Sequence, residues 1–112
     1  MAIRRVVVIV TSSPFATLNN YEALRFSLGL FDMKVSLVWS GKGVCNAIKG
    51  VDHTLTRPFI RVFPDLDIDL YVDKSDLQQE GMGEVELIPE VKALEKNEVI
   101  ELVCQADLVI TF

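Results

Sequence analysis

Near the start of the chain lies a continuous run of β-branched residues, Val6–Thr11. Such a run is typical of a strand that is covered on both faces, as parallel strands in layered α/β domains are. A polar segment follows, and large apolar side chains then recur at helical spacing: Tyr21, Leu24, Leu28 and Phe31. This periodicity predicts a helix near residues 20–31, and either Asn19 or Asn20 could cap its N-terminus.

The second strand is predicted at Val35–Trp39, parallel to the first because a helix lies between them. A tight loop at Gly41–Gly43 then leads into a short helix at Val44–Ile48. We expect Gly50 to end this helix in the left-handed conformation that glycine adopts most readily. A further short helix is predicted at Arg57–Phe63, since proline is tolerated in the first helical turn.

The second half of the chain continues the alternation. Apolar residues at 68, 70 and 72 alternate with aspartates at 67, 69 and 73, which predicts a third strand at 68–72 with one drier and one wetter face. One helical turn is expected at Ser75–Glu80. A short strand at Val91–Leu94 precedes a helix that Asn97 could cap. The inward face of that helix is predicted to carry Val99, Ile100, Val103 and Ala106. The last strand is expected at Leu108–Phe112.

Strands that alternate with helices at this density predict a single domain over residues 1–112. Its expected fold is a three-layer α/β/α sandwich around a mainly parallel sheet of about five strands. Sites in such sheets lie at the carboxyl ends of the strands. Those ends are the loops at Thr11–Thr17, Ser40–Val44 and Asp73–Asp76, so a candidate functional residue should reach one of them.

The composition of the chain indicates which kinds of partner to expect. Half of the 112 residues are hydrophobic and only 24% are charged, so some apolar surface is expected to meet another subunit. The net charge of −5, without a stripe of Lys or Arg, argues against direct binding of nucleic acid. No apolar run approaches the roughly 20 residues of a membrane span, and the first is too short for a signal peptide. We therefore expect a cytoplasmic protein without membrane contact.

The two cysteines, Cys45 and Cys104, are expected to be free thiols, and their spacing is not that of a C-x-x-C pair. Cys45 would lie in the first turn of the short helix after Gly41–Gly43. Amide dipoles and Lys42 would favour its thiolate there. The alternative is that Cys45 packs as a small hydrophobe. Cys104, late in an amphipathic helix, is predicted to be buried.

Three segments carry a resemblance to a known family. They are the helix YEALRFSLGL at 21–30, the strand and turn VSLVWSGKGVCNA at 35–47, and the ending ELVCQADLVITF at 101–112. Their order and spacing resemble the DsrE/DsrF-like family, which includes the sulfur-relay subunits of tRNA thiolation and of dissimilatory sulfur oxidation. The resemblance covers nearly the whole chain and implies the same layered fold.

In sulfur-carrying members of that family the third strand runs into a cysteine that receives sulfur as a persulfide. The resemblance places Asp73 at that position, and a carboxylate cannot hold a persulfide because the chemistry requires a thiolate. The resemblance therefore implies one of two roles. Either Cys45 carries the sulfur, or the chain is a non-catalytic structural subunit. The residues expected to line the site with Cys45 are Ser12, Ser13, Gly41, Lys42 and Gly43.

The resemblance also implies a homo-oligomer, a trimer or hexamer, or a hetero-oligomer with related subunits. Its partners would be sulfur donor and acceptor proteins, and it needs no cofactor. Asp73 itself could act as a general base, but a carboxylate that caps the following loop or helix is the simpler interpretation. His53 has no metal-ligand spacing around it and is expected in a surface loop.

A rival interpretation comes from the loop after the first strand. Thr11–Thr17 brings four hydroxyl groups to the start of a helix, a position suited to anions, so a phosphate- or flavin-binding flavodoxin-like module is the second alternative. The loop lacks the glycine that allows close approach of a phosphate to the backbone. No aromatic residue for stacking on a flavin can be identified.

Overall fold

The computed structural model describes residues 2–14, 17–30 and 32–112. Its core is a five-stranded sheet in the order β4-β3-β2-β1-β5, and every pair of neighbouring strands is parallel. All five predicted strands are present, and each boundary is within one residue of its prediction. The strands are β1 Arg5–Val10, β2 Lys34–Trp39, β3 Asp69–Asp73, β4 Val91–Leu94 and β5 Leu108–Thr111.

Helical segments connect the strands. They are α1 Asn19–Leu28, a 3-10 helix at Gly41–Ala47, α2 Arg57–Val62, a second 3-10 helix at Phe63–Leu66, α3 Lys74–Gln79 and α4 Lys96–Cys104. Among the described residues no helix has both the length and the apolar character needed to cross a bilayer.

The sheet has helices on both faces, which confirms the predicted three-layer arrangement. Along β1, Val6, Val8 and Val10 point into the larger core, which the segments between β1 and β4 cover. Val7 and Ile9 point to the opposite face, where α4 packs. The continuous β-branched run at the start of the chain therefore reflects a strand that is buried on both sides.

The N-terminus of α1 differs from the prediction. Its N-cap is Leu18, and neither Asn19 nor Asn20 caps the helix with its side chain. Asn20 is instead buried, and its Oδ1 accepts a hydrogen bond of 2.7 Å from Nε1 of the buried Trp39. A buried indole N–H needs an acceptor, and this need takes Asn20 away from the helix end. The helix ends at Leu28, and Phe31 lies outside the described residues.

The segment after β2 also differs. The 3-10 helix begins at Gly41, which has the left-handed φ of +54°, and ends before Ile48. Ile48 is extended because it forms an antiparallel bridge with Leu87. Gly50 is not left-handed, so the predicted C-cap is wrong. The chain leaves this helix through a long-range backbone pairing and not through a glycine cap.

Three expectations for α4 are also wrong. The N-cap is Glu95, which forms a capping box with Glu98, so Asn97 lies inside the helix. Ile100 is 56% exposed, because the residues that face the sheet are the buried Val99 and the partly buried Leu102, Val103 and Ala106, at positions i, i+3, i+4 and i+7. Cys104, predicted to be buried, is exposed at the end of the helix.

Candidate functional site

Asp73 ends β3 at the carboxyl edge of the sheet and is fully buried. Its Oδ1 accepts a hydrogen bond of 3.1 Å from the backbone N–H of Asp76, so Asp73 is the N-cap of α3. The capping role expected from the sequence is therefore present. Alternation along β3 had suggested that the acidic positions form a wetter face, but at this position the carboxylate is covered by neighbouring elements.

The second carboxylate oxygen of Asp73 faces a lysine. Lys96, at the start of α4, places Nζ 2.5 Å from Asp73 Oδ2 and 3.1 Å from Asp76 Oδ1. The contact with Oδ2 is a short ion pair. The pKa of the Lys96 ammonium is raised above its usual value, mainly by Asp73 and to a smaller degree by Asp76. Desolvation of the ammonium lowers the pKa and offsets part of this effect.

A hydrogen bond links this ion pair to the segment that carries Cys45. Asp76 Oδ2 accepts a hydrogen bond of 2.8 Å from the backbone N–H of Gly41. One chain of polar contacts thus joins the ends of three neighbouring strands, from Lys96 after β4 through Asp73 after β3 to Gly41 after β2. At the carboxyl ends of β2, β3 and β4, the carboxylates of Asp73 and Asp76 are therefore occupied by Lys96 and by the Gly41 N–H.

The Gly41–Ala47 helix also rests directly on the end of β1. A Cβ at Gly43 would lie only 2.2 Å from the carbonyl oxygen of Val10, so no other residue fits there without a backbone shift. Asn46 Nδ2 donates to the carbonyl oxygen of Ser12 at 3.0 Å. The predicted lining residues Ser12, Gly41 and Gly43 therefore meet at one edge. Ser13 and Lys42 follow the same strand ends but form no hydrogen bond or ion pair with the described residues.

Cys45 is half-buried, and its Sγ lies 3.7 Å from Sδ of Met82. It is not in a first helical turn, because the 3-10 helix already begins at Gly41. The prediction that first-turn amides favour its thiolate therefore does not apply. The thiol remains partly accessible, and the sulfur beside it belongs to methionine, a flexible side chain. No group of His, Cys, Asp and Glu within the described part of the chain could hold a metal ion.

Sequence reasoning missed a cavity at the N-terminus of α1. His53, predicted in a surface loop, is only 8% exposed and lines a cavity of about 160 Å³ at the N-terminus of α1. Asn20, Asn46 and Thr56 line the same cavity and are also buried. These four residues have no common spacing along the chain, so no local pattern could have found them. Of the neighbouring loop Thr11–Thr17, Phe15 and Ala16 lie outside the described residues.

The strand order rules out a flavodoxin-like arrangement. In that fold β1 lies between the second and third strands, whereas here β1 lies between β2 and β5. The connections advance from β1 to β4 in one direction, and the chain then returns to place β5 on the other side of β1. The fold and its carboxyl edge thus define a parallel α/β domain of a different topology.

The profile of the DsrE/DsrF-like family matches residues 4–112, and the chain belongs to this family. The structure is similar to that of the YchN protein from E. coli, with a TM-score of 0.83 at 16% identity over 98% of this chain and 100% of that chain. It is also similar to MTH1491, a protein of unknown function from Methanobacterium thermoautotrophicum, with a TM-score of 0.71 at 13% identity over 99% of this chain and 100% of that one. A comparison with curated proteins finds no match. At these identities the two structures support the fold alone.

Proposed function

We propose that this chain is a sulfur-relay protein that carries sulfane sulfur on Cys45. Membership of the DsrE/DsrF-like family supports the sulfur-relay class. The observation that carries the assignment to Cys45 is its position. It is a partly accessible thiol in the helix that rests on the end of β1, whereas β3 ends in the ion-paired carboxylate of Asp73.

The proposed transfer needs no cofactor. The Cys45 thiolate attacks the outer sulfur of a persulfide on a donor protein, and a new S–S bond forms on Cys45 as the donor's S–S bond breaks. The donor leaves as a thiolate, so there is no net oxidation. An acceptor thiolate then takes the outer sulfur in the same way and regenerates Cys45. The Met82 side chain beside Sγ has the flexibility to make room for the added sulfur.

A structural subunit is the second candidate, and the Asp73–Lys96 ion pair favours it. That pair, with Asp76, closes the edge where the resemblance places the carrier residue, and it leaves no nucleophile there. In this proposal the chain shapes an assembly in which a related subunit carries the sulfur. Both candidates include the proposal of a trimer or hexamer, or of a hetero-oligomer with related chains.

The deciding experiment loads the protein with a sulfane donor and locates the added sulfur by intact and peptide mass spectrometry. Cys104 is the natural competitor, because it is the more exposed thiol. We expect the gain of one sulfur on Cys45, its loss in Cys45→Ser, and its retention in the matched control Cys104→Ser. Loading that survives Cys45→Ser, or no loading under conditions that load a known carrier, would refute sulfur carriage by Cys45 and support the structural subunit.

A further inference from the structure

The cavity at the N-terminus of α1 is built from buried polar groups. Asn20, His53 and Thr56 are each 8% exposed, and Asn46 is 2% exposed. All four line the same space of about 160 Å³. Burying a polar side chain is unfavourable unless its donors and acceptors find partners. Four such residues around one small cavity therefore indicate a site for a polar occupant.

Two of these side chains have a nitrogen left over that could donate to an occupant, whereas Asn46 Nδ2 is already bonded to the carbonyl oxygens of Ser12 and Gly43. Asn20 uses its Oδ1 to accept the Trp39 indole N–H, and its Nδ2 has no acceptor among the described residues. His53 Nε2 lies 2.7 Å from the carbonyl oxygen of Ile48, and since a carbonyl only accepts, Nε2 carries a proton. The remaining ring nitrogen, Nδ1, has no partner in the described part of the chain. When the ring is protonated, Nδ1 is a second donor.

The start of α1 adds backbone donors. This ten-residue helix has no side-chain cap. Asn19 N–H donates to Thr17 Oγ1 at 3.1 Å, and Glu22 N–H donates to the Leu18 carbonyl. Among the described residues, the N–H groups of Asn20 and Tyr21 find no acceptor. Asn20 and Tyr21 both line the cavity. A helix N-terminus with free amides favours an anion.

The surrounding charge favours an anion as well. His53 also lines a neighbouring cleft of about 350 Å³, together with Lys49, Arg57 and Arg61. Lys49 pairs with Glu86, whereas neither arginine forms an ion pair with a described residue. Glu90 also lines this cleft. Asp52 is the one acid among the described residues that line the cavity. It accepts from the hydroxyl and backbone N–H of Thr54, which lower the pKa of its carboxyl, and the positive charge of Arg57 acts on it as well.

We propose that this cavity binds a small tetrahedral oxyanion, a phosphate or a sulfur oxyanion. Asn20 Nδ2, protonated His53 Nδ1 and the backbone N–H groups of Asn20 and Tyr21 would hold it, and Arg57 and Arg61 would attract it. The volume is several times that of a water molecule in the liquid, about 30 Å³, which leaves room for a group of this size. This site does not depend on sulfur carriage by Cys45, so either proposal can fail alone.

Trp39 is a built-in reporter for the test, because it is the only tryptophan and it bonds to Asn20. Inorganic phosphate is added to the protein at constant ionic strength while Trp39 emission is recorded, and a parallel titration with chloride is the reference. We expect a saturable change for phosphate but not for chloride, and about tenfold weaker binding in His53→Asn, the loss expected for one charge-assisted hydrogen bond. Sulfate and thiosulfate replace phosphate in parallel titrations to distinguish the two kinds of oxyanion.

Ser27→Ala is the matched control, because Ser27 is a buried polar residue of the same helix whose hydroxyl donates to the Ala23 carbonyl, outside the cavity. It should bind phosphate like the parent. If His53→Asn does not fold, NMR of the parent decides, since His53 is the only histidine. Phosphate should shift its ring signals, and chloride should not. Ring signals that phosphate leaves unmoved, a phosphate response equal to that of chloride, or unchanged binding by folded His53→Asn would overturn the proposal.

Discussion

Replacing Gly43 with alanine tests whether the Gly41–Ala47 helix rests on β1 as closely as the structure indicates. The new Cβ would lie 2.2 Å from the carbonyl oxygen and 2.9 Å from the carbonyl carbon of Val10. Even a weak C–H···O contact keeps carbon and oxygen about 3.3 Å apart, so the overlap is about 1 Å. Both partners are backbone atoms, and no rotation of a side chain can relieve it. We expect a loss of about 3 kcal/mol in the free energy of unfolding.

The measurement is urea unfolding at equilibrium, followed by Trp39 emission and by circular dichroism. A loss of about 3 kcal/mol is a large share of the roughly 5–15 kcal/mol that stabilises a domain of this size. Gly50→Ala is the control, because its Cβ would meet nothing within 4 Å and its φ is not left-handed. It should change stability by less than about 0.5 kcal/mol. A Gly43→Ala protein as stable as Gly50→Ala would refute the close approach.

Two further predictions concern Lys96 and the assembly. Because the pKa of Lys96 is raised in the folded protein, its stabilising effect is fully present below its usual pKa of 10.5 and is lost as the pH rises through the folded value. Lys96→Met should therefore lower the free energy of unfolding at pH 7 by about 1–3 kcal/mol. Between pH 10 and 12, this variant should lose less stability than the parent. The control is Lys92→Met, on β4, which should lose as much as the parent. Equal alkaline sensitivity in all three would contradict the ion pair. Native mass measurement should find a trimer or hexamer, and a monomer at micromolar concentration would contradict the proposed assembly.

The strands could be predicted because their signal is local. A strand that is covered on both faces favours a continuous run of apolar residues. β1 has such a run, and in β2 only Ser36 interrupts the run between Val35 and Trp39. Helix ends were predicted less well. Asparagine at 19, 20 and 97 has the intrinsic preference for capping, but the ends lie at Leu18 and Glu95. Capping preference is a small energy, and packing of the helix against the sheet decides between neighbouring positions.

The inward face of α4 illustrates the same limit. Val99, Ile100 and Leu102 are equally apolar, so composition alone does not decide which of them faces the sheet. Each residue turns the helix by about 100°, and the contact with Val7 and Val38 selects Val99 and Leu102 and leaves Ile100 exposed. The exposure of Cys104 follows from the same rotation.

The order of strands and helices, the layered fold and the family resemblance all follow from the amino-acid pattern, because each depends on short-range periodicity. Folding decided the environment of the functional side chains. Asp73 is buried against Lys96 from α4, Asn20 is bonded to Trp39 from β2, and His53 is enclosed beside α1. These partners are far apart in the chain, and their energies come from desolvation and pairing, which exist only after the sheet has brought them together.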